Sequence, residues 1–211
     1  RHVYVGSRAN VIDEDEIVEV TLLFLSMQEA FGAVIEGVAS GEQTAEDILP
    51  GIMDNPTKLV HTSQATNTTV LDQIKAFFDA RQWKYTPMES SAIVLVCEGK
   101  NGTFNCFAQA REDEHQVVFY SVSPVEAPID RLSMMTEFIT RANYGMYLGN
   151  FEMDMSDGEV RFKTSVGFKD DALIPSLMVQ VVYPNILVMD RYLPGILAVI
   201  DGTSPVDAID A

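Results

Sequence analysis

The sequence predicts an α+β fold: an antiparallel sheet with helices packed against it. Asn101-Gly102 and Asp157-Gly158 are turn signals, each flanked by runs that alternate apolar and polar residues, which is the pattern of hairpins. Before, between and after those runs, apolar residues recur at helical spacing. From residue 70 the order reads helix, three strands, helix, two strands, long helix. Such mixing with hairpin connections belongs to the α+β class.

Residues 70–83 read as the first helix, because Val70, Leu71, Ile74, Phe77 and Phe78 share a face and Thr69 or Asn67 can cap it. The run 91–99 alternates and leads into Asn101-Gly102. With those two residues as the loop, Lys100 faces Thr103, Gly99 faces Phe104, Cys97 faces Cys106 and Leu95 faces Ala108. Ile93, Leu95, Cys97, Phe104, Cys106 and Ala108 then form one apolar face. A third strand, 117–122, follows the acidic turn Glu112-Asp113-Glu114. Pro128 suits a helix start, and Ile129, Leu132, Met135, Phe138 and Ile139 mark an amphipathic helix ending before Tyr144-Gly145. In the second hairpin Met155 pairs with Val160, Asp154 with Arg161, Met153 with Phe162 and Glu152 with Lys163. One of its faces is apolar and the other carries two opposite-charge pairs. Pro175 opens a helical region to about Asp201, which Pro184 and Pro194 are expected to kink or break. Residues 202–211 read as a short polar tail.

The 211 residues suffice for one large domain or two small ones. Between 50 and 69 apolar periodicity vanishes, so 57–69 reads as a linker between a 1–56 segment and a 70–211 domain. The first 50 residues also resemble the chain's end at a constant offset: Ile12 lies over Ile174, Ile17 over Val179, Met27 over Met189 and Ile35 over Leu197. Any two amphipathic helices share an apolar period, but the run also fits the last strand and helix of a duplicated module. The strand that begins it must pair with 70–211, with a second chain or with sequence not present. An open edge invites a second copy, so a homodimer is expected.

Fourteen basic and 31 acidic residues give a formal net charge of −17. Such a surface repels nucleic-acid phosphates and anionic membranes, so neither is an expected partner. The longest apolar stretches are interrupted by charges or prolines, and no basic n-region precedes an apolar core. A cytoplasmic protein is the expectation.

Chemistry-bearing patterns are sparse. Cys97 and Cys106, opposite one another in the register above, could be a cross-strand disulfide or redox pair, but two small buried core residues is the plainer account. His2, His61 and His115 lack a second ligand at i+3 or i+4, so no metal site is expected. Glu152, Asp154, Asp157 and Glu159 cluster at a hairpin tip without calcium-loop spacing and read as a solvated turn. No nucleophile elbow, phosphate-binding glycine loop or dinucleotide fingerprint occurs, so no cofactor is assigned and the chain is read as a non-enzyme. The methionines of the second half read as core filling, with an adaptable binding surface as the alternative.

Several strings in the second half stand out: Pro128-Ile129-Asp130-Arg131, Met134–Asn143, Gly149–Asp154, Asp157–Lys163 and Met189-Asp190-Arg191-Tyr192-Leu193-Pro194-Gly195-Ile196. Together they resemble the YbjN-type family of bacterial sensory transduction regulators, and their wording is similar to cyanobacterial members. The resemblance covers about 70–205. It implies an α+β fold similar to type III secretion chaperones, which are small acidic dimers that bind extended partner segments. The resulting expectation is a protein-binding regulator or chaperone-like adaptor, with a small-molecule-sensing or enzymatic domain as the alternative. Candidate contact residues are Tyr144, Tyr147, Phe151, Tyr183 and Tyr192, amphipathic side chains near predicted element ends.

Overall fold

A computed structural model describes residues 10–11, 68–89, 91–168, 173 and 175–209. These residues belong to one compact unit. The strands are β1 (Asn10–Val11), β2 (Thr86–Met88), β3 (Ala92–Glu98), β4 (Thr103–Arg111), β5 (Gln116–Val122), β6 (Asn150–Met153) and β7 (Val160–Gly167). The helices are α1 (Val70–Ala80), α2 (Leu132–Asn143), α3 (Pro175–Ile200) and α4 (Pro205–Ala208), with a 3-10 turn at Ile129–Arg131 before α2. Among the described residues the strands form one sheet in the order β1-β3-β4-β5-β7-β6, and β2 also pairs with β3. All its pairings are antiparallel except β1 with β3. The fold is therefore α+β.

The alternation of β3, β4, β5 and β7 places Ile93, Leu95, Cys97, Phe104, Cys106, Ala108, Val117, Phe119, Val160 and Phe162 in the core. α1 and α3 pack on that sheet, and α2 packs against β6 and α3. α1 buries Val70, Ile74, Phe77 and Phe78, the face expected from its periodicity. Its first turn is held from two sides. Thr69 accepts the Asp72 N–H at 3.1 Å. The Glu112 carboxylate, from the turn after β4, accepts the Val70 and Leu71 N–H groups at 2.7 and 3.1 Å. A carboxylate there satisfies donors that have no partner within the helix and complements its dipole.

Both hairpins depart from the expected register by two residues. Cys97 pairs with Phe104 and Leu95 with Cys106, so the two cysteines are diagonal neighbours rather than opposite. The loop spans 99–102, closed by the Gly99 N–H to the Gly102 carbonyl at 2.9 Å. The cause is Asp190 on α3, whose carboxylate accepts the Lys100 and Asn101 N–H groups at 3.1 and 2.8 Å and pulls the loop onto the helix. A Cβ on Gly99 would collide with that carboxylate, so glycine is required by close approach. In the second hairpin Met153 faces Val160 and Glu152 faces Arg161. Here Asp154 leaves the ladder to build the turn: its carboxylate accepts the Ser156 N–H and hydroxyl at 2.8 and 2.7 Å. A two-residue slip preserves the side-chain face, which is why the apolar faces survive while the pairs change. Met155 is the exception, lying in the turn and exposed.

α3 is unbroken, although Pro184 and Pro194 lie inside it. At Pro194 the freed carbonyl finds another donor. Pro194 cannot donate to the Asp190 carbonyl, which instead accepts the Asn101 side-chain amide at 3.0 Å. Near Pro184 the Val181 carbonyl accepts the Thr164 hydroxyl at 2.8 Å. The expected polar tail holds α4, capped by Ser204 and with Pro205 and Ala208 buried. Gly195 lets α4 approach α3, since a Cβ there would lie 2.5 Å from the Ala208 carbonyl oxygen.

The N-terminal strand finds its partner within the chain, as β1 beside Cys97 and Glu98 of β3. That is the first of the three pairings foreseen for it. The Asn10 carboxamide fastens it, accepting the Lys84 N–H at 2.8 Å and donating to the Lys84 and Val96 carbonyls at 3.0 and 3.1 Å. The rest of the expected 1–56 module, its repeat with the chain's end and most of the 57–69 linker lie outside the described residues.

Candidate functional site

α2 ends where Asn143 turns its side chain away from the helix. Its Oδ1 accepts the Phe151 N–H at 2.7 Å, and its Nδ2 donates to the Phe151 carbonyl at 3.1 Å. This bidentate clasp locks the start of β6, an edge strand of the sheet, to the helix end. Between the two lies a short loop in which Gly145 and Gly149 adopt positive φ of 85° and 76°. The clasp and the glycines turn the chain so sharply that Tyr144 and Tyr147 are 92% and 85% exposed.

The other three candidate contact residues are placed inside. Phe151 is buried against Phe162 and Tyr192, with ring centroids 4.8 and 5.4 Å apart. Tyr183 is buried with its ring against Trp83 at 5.7 Å. Tyr192 is half-buried between Phe138 and Phe151. Phe151 and Tyr183 hold elements together and offer no accessible surface. The apolar periodicity of the chain marks such positions as core, and amphipathic character alone does not separate them from exposed ones.

The exit of β6 carries a feature that sequence reading treated as a solvated turn. A groove of about 350 Å³ is lined by Glu152, Met153, Asp154, Met155 and Arg161. Glu152 is its electrostatic centre, bridging Arg161 at 3.0 Å and Lys163 more closely still. Burial opposes ionisation of Glu152, but the bonds from Lys163 and Arg161 prevail and hold its carboxyl below the usual range. Glu159 moves the other way. Burial raises it, Arg161 opposes the rise, and Asp157, Asp154 and Glu126 add to it. The neighbourhood thus carries more negative charge than Arg161 and Lys163 neutralise. The Arg161 guanidinium also lies over the Tyr120 ring at 4.6 Å, which fixes its orientation.

Cys97 and Cys106 are free and fully buried, and Cys106 Sγ lies 3.2 Å from the Ser121 hydroxyl. Hydrogen bonding to Cys106, then burial, pushes the Cys97 thiol well above its ordinary value, which disfavours the nucleophilic thiolate. His115 sits in the β4–β5 turn with its ring edge-on to Phe168 at 6.1 Å, while His2 and His61 lie outside the described residues. Among the described residues no group of three or more His, Cys, Asp or Glu side chains could hold a metal ion. No helix among them is long and apolar enough to cross a membrane.

The geometry defines an α+β domain with an exposed aromatic loop and an acidic groove along one sheet edge. A family model described as "YbjN: Putative bacterial sensory transduction regulator" matches residues 71–196, and the chain belongs to that family. The chain is also similar to a solved structure described as "Crystal structure of YbjN, a putative transcription regulator from E. coli". That likeness has 12% identity and a TM-score of 0.46, and covers 63% of this chain and 91% of the other. No curated protein matches the chain.

Proposed function

We propose that this YbjN-family domain is a non-enzymatic regulator that works by binding a protein, a chaperone-like adaptor for an extended partner segment. The observation that carries the reading is the pair Tyr144 and Tyr147, 92% and 85% exposed on a loop anchored by Asn143. Tyrosine presents a large amphipathic surface at little conformational cost and is favoured at protein interfaces. A rigidly anchored loop lowers the ordering cost of binding further. The two buried thiols, adjacent and unlinked, fit a reducing compartment such as the cytoplasm.

The test is capture from an extract of the source organism by the full chain and by a Tyr144→Ala, Tyr147→Ala double variant. A protein retained by the parent and lost by the variant, with thermal unfolding unchanged, is the expected result. Identical retained sets, or nothing retained by the parent over a range of salt, would overturn the reading.

A further inference from the structure

We propose that the free edge of β6, from Met153 to Met155, is a strand-acceptor groove for an extended partner segment that alternates apolar with lysine or arginine residues. The proposal rests on the protein-binding reading and gives it a surface and a partner chemistry.

The backbone alternation locates the acceptor. Arg161 and Lys163 face Glu152 and Asn150 of β6, and the Asp154 N–H bonds to the Glu159 carbonyl at 2.9 Å. On the opposite phase the Ser123 N–H takes the Val160 carbonyl at 2.8 Å, toward β5. Asn150 and Glu152 therefore spend their backbone groups on β7, Asp154 spends its own on Glu159 and Gly158 of the turn, and Phe151 and Met153 turn theirs outward. The outward groups of Phe151 are both taken by Asn143. Those of Met153 open at the groove. Such an open pair on an edge strand is the contact that strand addition uses.

The side chains set the chemistry. Met155 is 59% exposed beside Met153, giving the groove an adaptable apolar floor. Glu152 and Asp154 line it with Arg161, Lys163 pairs with Glu152, and Asp157, Glu159 and Glu126 add negative charge nearby. Burial first, then Asp157, Asp154 and Glu126, raise Glu159 against the pull of Arg161. An extended segment presents side chains alternately to the two faces of the edge, so apolar residues would meet the methionines and basic ones the carboxylates. A second copy would bring the same carboxylates, and each chain already carries −17, so like charges disfavour that occupant. At the other end of the sheet β1 is the outermost strand among the described residues, and β2 also pairs with β3.

The experiment titrates the full chain with two synthetic decapeptides, one alternating lysine and valine, the other glutamate and valine. Amide exchange and chemical shifts are read residue by residue. The lysine peptide is expected to slow exchange of the Met153 N–H at least tenfold and to bind at least tenfold more tightly than the glutamate peptide. Met153→Pro removes the outward donor without touching the ladder to β7, and Met155→Lys puts a cation in the groove; each is expected to weaken binding at least tenfold. Should Met153→Pro perturb folding, Met155→Lys decides alone. Equal binding of both peptides, lysine-peptide binding without protection at Met153, self-association through this edge, or no binding would each overturn the groove. Tyrosine-dependent capture would survive any of those outcomes, so the two readings fail separately.

Discussion

Asp190 shows how one side chain can set the geometry of a distant loop. It lies 9% exposed on α3, and its carboxylate accepts two backbone N–H groups from the 99–102 loop. Removing it leaves those donors, part-buried against the helix, without their acceptor. Bonds to a charged acceptor contribute about 1.5–3 kcal/mol. Asp190→Ala is therefore expected to destabilise the domain by about 2–3 kcal/mol in urea unfolding, with the largest gain in amide exchange at Lys100 and Asn101. Glu152 is a second residue with a measurable signature. Its carboxyl is held below the usual range, so it binds protons less readily folded than unfolded. The stability it supplies is present above the unfolded value of about 4.3 and lost as pH falls through the lower folded value. Glu152→Gln should flatten that acid limb, and because its partners are partly exposed the loss at neutral pH should be about 1 kcal/mol or less. Asp190 stands within a string that reads only as apolar helix plus charge, and nothing local announces that it reaches a loop some ninety positions earlier. The pairing of Glu152 with Lys163, by contrast, is legible, while the sequence pairs Arg161 with Asp154 and the structure pairs it with Glu152. Opposite charges on one strand face select each other within a small set of registers.

Elements were more legible than their connections. The faces of α1, α2 and the hairpin strands follow from apolar period, because burial depends on period and a two-residue slip leaves it unchanged. The slips were not legible, since each loop is set by a carboxylate, Asp190 from outside and Asp154 from within. β2 escaped notice because Pro87 sits in a three-residue edge strand, where proline is tolerated but strand signal is weak. The unbroken α3 is not legible because the donor for the carbonyl freed by Pro194, the Asn101 amide, comes from the distant 99–102 loop. The exposed loop was half legible: Tyr144-Gly145 marks a helix end, but only the Asn143 clasp turns both tyrosines outward. Packing between α3 and α4 gives an element-scale prediction. A methyl group at Gly195 would meet the Ala208 carbonyl at 2.5 Å and the Phe138 ring at 2.7 Å. Overpacking of this kind costs about 1–3 kcal/mol. Gly195→Ala should lower stability by that amount and speed amide exchange in 205–208 more than in β4 or β5.

At the scale of the molecule, two asparagine clasps hold the described ends of the sheet. Asn143 accepts from and donates to the outward backbone groups of Phe151 on the edge strand β6, and Asn10 of β1 accepts the N–H of Lys84, just before β2, and donates to its C=O. A carboxamide offers one acceptor and one donor in a fixed plane, so it can satisfy a strand residue as a neighbouring strand would. Backbone groups taken up this way, at Phe151 though not at Met153, no longer template uncontrolled pairing, which matters for a sheet whose strands are rich in valine, isoleucine and phenylalanine. The N-terminal clasp also does something the other cannot. It binds residue 10 to residues 84 and 96, beside the pairing of Asn10 and Val11 with β3. Three bonds from one carboxamide fasten Asn10 to Lys84 and Val96. Asn10→Ala deletes all three side-chain bonds; at about 1 kcal/mol each, the local opening of β1 should become easier by 2–3 kcal/mol. Exchange of the β1 and Lys84 amides should then accelerate by one to two orders of magnitude, while β4, β5 and β7, held on both sides, keep their parent rates. Asn10→Asp should resemble the alanine variant, because a carboxylate accepts the Lys84 N–H but faces the Lys84 and Val96 carbonyls without a proton to donate. Unchanged exchange in both variants would mean that β1 is held by its backbone pairing and that the clasp is incidental.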